Sequence, residues 1–378
     1  MRKDRLIVIL AGGVVGLLAV LLTVKLFGDN TNPPNMGFCI ACFERDIAGA
    51  IGLHRADVVQ YIRPEIIGIV LGALLASLLF REFRSEGGSS PFLRFAVGAF
   101  VMFGALVFLG CPLRMVLRIA GGDLNGLPAL AGFFVGVVIG VVLLKAGFNF
   151  GRAQRQNGIN GWILPIIMVI LLILAITTPV FNPKASALPD GRINSPIFSS
   201  VKGPGSQHAP LIFSLIAGLI VGFLAQRSRL CFAGGIRDTV LVRDIHLLRG
   251  FIAVFAVAFI GNLIAGKVKF GFEGQPVAHM EHLWNFLGMA LVGLGSVLLG
   301  GCPLRQLVLA GRGNTDSALA VCGMIVGAGV AHNFSIAAAA AGPAGPGGPS
   351  IWGKVVAVSG IVVCVIIGLL NREKSSQP

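Results

Sequence analysis

Charge is scarce in this chain: Asp, Glu, Lys and Arg make up 12% of its 378 residues. Apolar residues make up 55%, and the mean hydropathy is +0.86. No soluble fold hides that much apolar surface, so the composition defines an integral membrane protein. Acidic residues number only 16 against 30 basic ones. They fall in loops, motifs or the edges of apolar runs, and no isolated carboxylate offers itself as a proton relay. A Gly-rich Walker sequence and a soluble nucleotide domain are both missing, so ATP hydrolysis would need a separate partner. No enzymatic activity, cofactor, metal or nucleic-acid partner is expected.

What the chain does have is long apolar segments. Ten are long enough to cross a hydrocarbon layer of about 30 Å, which takes roughly 20 helical residues: 6–27, 62–80, 92–109, 128–147, 161–180, 209–226, 247–266, 283–300, 317–337 and 351–371. The first follows Met1-Arg2-Lys3-Asp4-Arg5. Its core is longer than the roughly 7–15 residues of a signal peptide and no small-x-small site follows closely, so a retained helix is expected. Alternating the loops puts 18 of the 30 basic residues on the side of the termini. The positive-inside rule then makes both termini cytoplasmic, and the polar stretch 182–210 becomes an extracytoplasmic connector.

Two motifs occur twice. Gly-Cys-Pro-Leu-Arg stands at Gly110–Arg114 and again at Gly301–Arg305, 191 residues later, each time where an apolar run breaks off. The stretch Gly37–Asp46 matches Arg229–Asp238, keeping Cys39 with Cys231, Ala41 with Ala233, Arg45 with Arg237 and Asp46 with Asp238. Cys39 precedes Cys111 by 72 residues and Cys231 precedes Cys302 by 71. Unlike motifs that keep their order and spacing indicate duplication. The halves are 1–181 and 211–378, each with five spans, and an odd number of spans inverts the second half. The fold expected is an all-α membrane protein of about ten transmembrane helices plus short interrupted helices, in two inverted five-span repeats, a recurrent transporter plan.

Proline suits the first turn of a helix, so Cys111 and Cys302 are expected as caps of short helices over about Leu113–Ala120 and Leu304–Ala310. Helix N-termini attract anions, and Arg114 and Arg305 add full charge one turn away. An anion with a soft, polarisable atom satisfies both helix ends and thiols. The blander readings are packing for Cys322 and Cys364, structural charge pairs for Arg45–Asp46 and Arg237–Asp238, and interfacial anchoring for Arg114 and Arg305. His279 and His282 make a weak metal signal and are expected in a solvated loop.

These motifs resemble the YeeE/YedE family of sulfur-related membrane proteins over essentially the whole chain. The resemblance implies an hourglass-shaped helical bundle in a bacterial or archaeal cytoplasmic membrane, which passes a sulfur-bearing anion along cysteines at its constriction. Cys111, Cys231 and Cys302 match the family's substrate-contacting cysteines, and Cys39 fits a further one at the outer entry. The extra Cys42, where the second half has Gly234, is similar to the YedE branch, which is proposed to handle selenium compounds. The substrate expected is therefore a small sulfur- or selenium-containing anion, with thiosulfate as the sulfur case. The family further implies a small cytoplasmic sulfur-carrier protein as partner.

Facilitated diffusion, drawn by consumption of the anion inside, is the simplest energy source these residues suggest. Two rival functions are a thiol-disulfide membrane oxidoreductase using the Cys39-x-x-Cys42 pair and a sulfur-relay partner that docks a carrier.

Overall fold

The computed structural model of the chain describes residues 2–26, 30–181, 197–343 and 345–373. Among them lie fourteen helices: α1 (Arg2–Leu21), α2 (Ile40–Ala50), α3 (Pro64–Leu79), α4 (Pro91–Phe108), α5 (Pro112–Ala120), α6 (Gly126–Lys145), α7 (Gly158–Phe181), α8 (Leu211–Ser228), α9 (Phe232–Val242), α10 (His246–Ile264), α11 (His282–Leu298), α12 (Pro303–Gly311), α13 (Thr315–Asn333) and α14 (Ile351–Leu370). Two two-residue strands, β1 (Glu86–Gly87) and β2 (Gln154–Arg155), pair antiparallel. The chain is an all-α membrane protein. Eight helical stretches are long and apolar enough to cross a bilayer, three of them a long helix with the short helix that follows it. Arg5–Leu21 and Pro64–Leu79 are shorter apolar helices.

Every expected span coincides with one long helix, and several end earlier than expected. Helix α1 stops at Leu21, where the Thr23 hydroxyl donates to Val20 O at 2.8 Å, and α13 stops at Asn333, whose amide donates to Leu53 O at 2.9 Å. The four remaining helices, α2, α5, α9 and α12, are only 9 to 11 residues long. Left-handed residues precede three of them: Leu109 (φ 63) before α5, Arg229 (φ 57) before α9 and Gly300 (φ 83) before α12. Only glycine enters that region without steric cost, so Leu109 and Arg229 hold strain that the surrounding packing overcomes.

Glycines spaced four apart explain how the long helices pack. Helix α3 lies against α8 through Gly68 and Gly72 facing Gly218 and Gly222, and a methyl group at any of these would overlap a backbone oxygen opposite. The same device joins α1 to α10 (Gly12, Gly16), α6 to α11 (Gly132, Gly136) and α4 to α13 (Gly323, Gly327). In lipid, where apolar burial does not drive helices together, such close backbone approach supplies the association. Helices α4 and α11 complete the centre through Gly104 and Gly288.

Residues 182–196 of the expected connector lie outside the described residues. Its remainder lies over the loop between α2 and α3: Phe198 N donates to Ala50 O at 2.9 Å, Ser200 N to Gln60 O at 2.8 Å and Gly205 N to Val58 O at 2.8 Å.

Gly72→Val forces α3 off α8 and lowers stability by about 1–3 kcal/mol, the usual range for overpacking. Thermal unfolding in detergent checks this, with Gly158→Val as control because no atom lies within 4 Å of a methyl group there.

Candidate functional site

Each short helix begins at a cysteine. Cys39, Cys111, Cys231 and Cys302 are the N-caps of α2, α5, α9 and α12, all with extended backbone. For Cys111 and Cys302 the following proline starts the helix, as the sequence predicts. For Cys39 and Cys231 the thiol sulfur itself is the cap: it accepts from Cys42 N at 3.3 Å and from Gly234 N at 3.2 Å. A sulfur in this position takes one of the amide donors that a helix start leaves unpaired.

The caps meet in pairs. In the first half, Ile40 N donates to Cys111 Sγ at 3.2 Å, and the Cys39 and Cys111 thiols lie in hydrogen-bonding contact. Cys42 joins them, with its sulfur 3.6 Å from Arg114 Nη1. In the second half, Cys302 N lies 3.5 Å from Cys231 Sγ, and those two thiols also touch. All five sulfurs are at most 5% exposed. The structure thus gathers the expected cysteines into two clusters, and among the described residues no hydrogen bond joins one cluster to the other. Contacts of α2 with α12 and of α5 with α9 connect them.

The two motif arginines are not equivalent. Arg114 is fully buried, which excludes interfacial anchoring, and it donates to the backbone oxygens of Leu109, Pro276 and Val277. Arg118 likewise takes Phe108 O at 3.0 Å. In the second half Gln306 does this work, donating to Leu299 O and Gly301 O at 3.1 Å each. That leaves Arg305 unengaged: its buried Nη1 has no hydrogen-bond partner among the described residues, although the guanidinium lies within electrostatic reach of Cys231.

Charge pairs close the motifs. Arg45 and Arg63 both clasp Asp46 at 2.7 Å, and Arg118 holds Asp123 at 2.6 Å, all inaccessible or nearly so. Arg237–Asp238, at 2.7 Å, remains about a quarter exposed. The reading of His279 as solvated is corrected: it is fully buried, with Nε2 2.7 Å from Val107 O, and burial holds its pKa down to about 4. Its contact with the α4 end, which no local pattern reveals, draws it in. No group of three metal-ligating side chains occurs among the described residues. Cys364 is buried and Cys322 half-buried inside long helices, in keeping with packing roles.

Sequence reasoning missed Glu44. It is fully buried on α2, and neither carboxylate oxygen has a hydrogen-bond partner among the described residues. The charged run Glu44-Arg45-Asp46 hides that fact, because its two neighbours in sequence satisfy each other and Glu44 is left over.

The broken helices of this helical membrane protein thus present thiols and a cation at N-terminal ends, where helix dipoles favour anions. The family profile described as sulphur transport matches residues 1–139 and 227–376, and the chain belongs to that family, also known as YeeE/YedE. It is similar to two thiosulfate transporters named TsuA. The one from Escherichia coli is 29% identical over 111 residues (29% of this chain, 31% of the relative), and the one from Spirochaeta thermophila is 31% identical over 103 residues (27% and 31%). A probable transporter, YedE of Salmonella typhimurium, is 27% identical over 234 residues, 57% of this chain and 56% of the relative. The chain thus aligns with about a third of the thiosulfate transporters' length and just over half of YedE.

Asp46→Asn strands two buried guanidinium groups and costs about 3–5 kcal/mol, as when one partner of a buried ion pair is removed. Asp238→Asn breaks a partly solvated pair and costs about 1 kcal/mol or less. Thermal unfolding of the two variants side by side checks the order.

Proposed function

We propose that the chain carries a small sulfur-containing anion, with thiosulfate as the representative substrate, inward through two thiol stations in series. Cys39, Cys42 and Cys111 form the outer station, and Cys231 and Cys302, with Arg305, form the inner one. The observation that carries this reading is Arg305, a cation without a hydrogen-bond partner at Nη1, beside two thiols that cap opposed short helices. A membrane interior leaves such a donor unpaired only at a cost of several kcal/mol unless a ligand completes it.

Each station suits a soft anion for the same reason. The backbone amides of Cys42, Ile40, Gly234 and Cys302 point at sulfur and the thiols of each station hydrogen-bond one another, which leaves one thiol hydrogen per station to donate outward. The helix N-termini and Arg305 supply positive potential for the anion. Sulfur meeting sulfur adds polarisable contact that a hard oxyanion such as sulfate gains less from.

The two halves are read as inverted copies. The packing supports this: α1 against α10 mirrors α8 against α3, and α6 against α11 mirrors α13 against α4. Inversion places one station toward each face, with both termini in the cytoplasm of a cell whose inner membrane holds the chain. Near the proposed inner face, Arg84 and Arg155 line a cleft of about 520 Å³ with Ser85, Glu86 and Gln156. A small sulfur-carrier protein collecting the anion is the partner proposed there. Entry of a dianion opposes a negative-inside potential by about 4.6 kcal/mol per 100 mV, two charges at about 2.3 each. Uptake therefore needs steep consumption inside or a coupled cation.

Uptake of radiolabelled thiosulfate, selenite, sulfate and sulfite into proteoliposomes tests this reading. Thiosulfate is expected to be preferred, with uptake falling at least about tenfold in Cys231→Ser and Cys302→Ser, and Arg305→Gln raising KM by roughly 10- to 100-fold, the worth of a charge-assisted hydrogen bond. Unchanged thiosulfate uptake in all of Cys111→Ser, Cys231→Ser and Cys302→Ser contradicts the thiol path. Preference for selenite moves the substrate to selenium.

A further inference from the structure

Glu44 is the buried titratable group that anion passage leaves without a task. Neither of its carboxylate oxygens has a donor among the described residues, and its side chain is fully buried. The acids of the other motif charge pairs differ: Asp46 holds Arg45 and Arg63, Asp123 holds Arg118, and Asp238 of the second half holds Arg237. A carboxylate with neither donor nor counter-charge in an apolar interior is so unfavourable that the group takes up a proton instead. Glu44 is therefore neutral as the structure stands, and loses its proton only when water or a cation reaches it.

Glu44 shares helix α2 with the outer thiol station. Glu44 lies five residues past the Cys39 cap, about 7.5 Å along the helix axis. In sequence it stands between Cys42 of the outer station and the Arg45–Asp46 pair, and at about 100° per residue it faces away from both, on the side of α2 that meets α13. The equivalent residue of the second half is Ile236, so the packing of this motif does not call for a carboxyl.

Helix α2 packs against α13, α3, α4 and α12, and none of them supplies a partner. Helix α13 presents Cys322, whose thiol lies within electrostatic reach of Glu44, and at its far end His332, with its ring 4.5 Å from that of His54. Helix α3 presents Arg63, held by Asp46, and Glu65, held by Asn32 and Ser214. Helix α4 presents Arg94, held by Asp316, and α12 presents Arg305, which interacts with Cys231. On α2 itself, Arg45 is turned to Asp46 and Cys42 to Arg114.

We propose that Glu44 is a proton-carrying group that couples anion uptake to proton entry. It receives one proton from water on the outer side and releases it to water on the inner side for each anion carried. The net charge moved with a dianion then falls from two to one, which halves the opposition of the membrane potential. This inference rests on the transport reading above.

The test uses the purified full-length chain in proteoliposomes with a pH-sensitive dye inside, labelled thiosulfate outside and the potential clamped at zero. Thiosulfate entry is expected to acidify the lumen of wild-type liposomes. An inward gradient of one pH unit is expected to raise thiosulfate accumulation about tenfold, the equilibrium value for one proton per anion. Glu44→Gln, isosteric but unable to titrate, is expected to lose both responses. So is Glu44→Ile, which copies the second half. Thiosulfate entry without acidification in the wild type overturns the proposal, as does a tenfold response that survives in either variant or that follows a sodium gradient instead. Absence of labelled uptake by the wild type under every gradient overturns the transport reading itself, and the proposal with it.

Discussion

Four helix starts buried in an apolar interior set the terms for the rest of this structure. Each leaves amide donors that lipid cannot satisfy, and unsatisfied donors at that depth are costly. Cysteine sulfur meets the demand at Cys39 and Cys231 and accepts from the facing helix at Cys111. The same contacts that stabilise the breaks bring the thiols together in pairs. Fold and candidate site are thus one arrangement, and a cysteine removed from it loses a cap as well as a chemical group.

Close packing of the long helices is the second requirement. The breaks at Leu109, Arg229 and Gly300 are held by the helices around them, and those helices approach through glycines at four-residue spacing. Buried ion pairs at Asp46 and Asp123 lock the motif ends. Such pairs give orientation more than net stability, because desolvation offsets much of their attraction. Their effect is to hold the thiols rigidly while Arg305, in the proposed inner station, stays available for an anion.

Much of this was legible in the sequence. Apolar runs mark each long helix, and Gly-Cys-Pro marks α5 and α12 because proline restricts where a helix can start. Helices α2 and α9 were not legible, since cysteine is an uncommon cap and the charged residues after it resemble a loop. Repetition of Gly-Cys-Pro-Leu-Arg also suggests that Arg114 and Arg305 act alike. They do not: Arg114 is committed to the carbonyls of Leu109, Pro276 and Val277, whereas at the second break Gln306 takes the Leu299 carbonyl, equivalent to the Phe108 carbonyl that Arg118 takes, and Arg305 has none among the described residues. Glu44 was hidden for a related reason, because its isolation depends on its neighbours choosing each other. His279 looks like a loop residue until the end of α4 folds against it.

The central claim is that a sulfur anion contacts the paired cap thiols, and its most direct measurement is substrate protection of individual cysteines. The full-length protein in nanodiscs is labelled with maleimide, and the modification of each cysteine is followed by mass spectrometry with thiosulfate, with sulfate or with neither. The account predicts that thiosulfate slows labelling of Cys231 and Cys302 while leaving Cys322 and Cys364 unchanged, and that sulfate protects less. Equal labelling of Cys231 and Cys302 under all three conditions contradicts it.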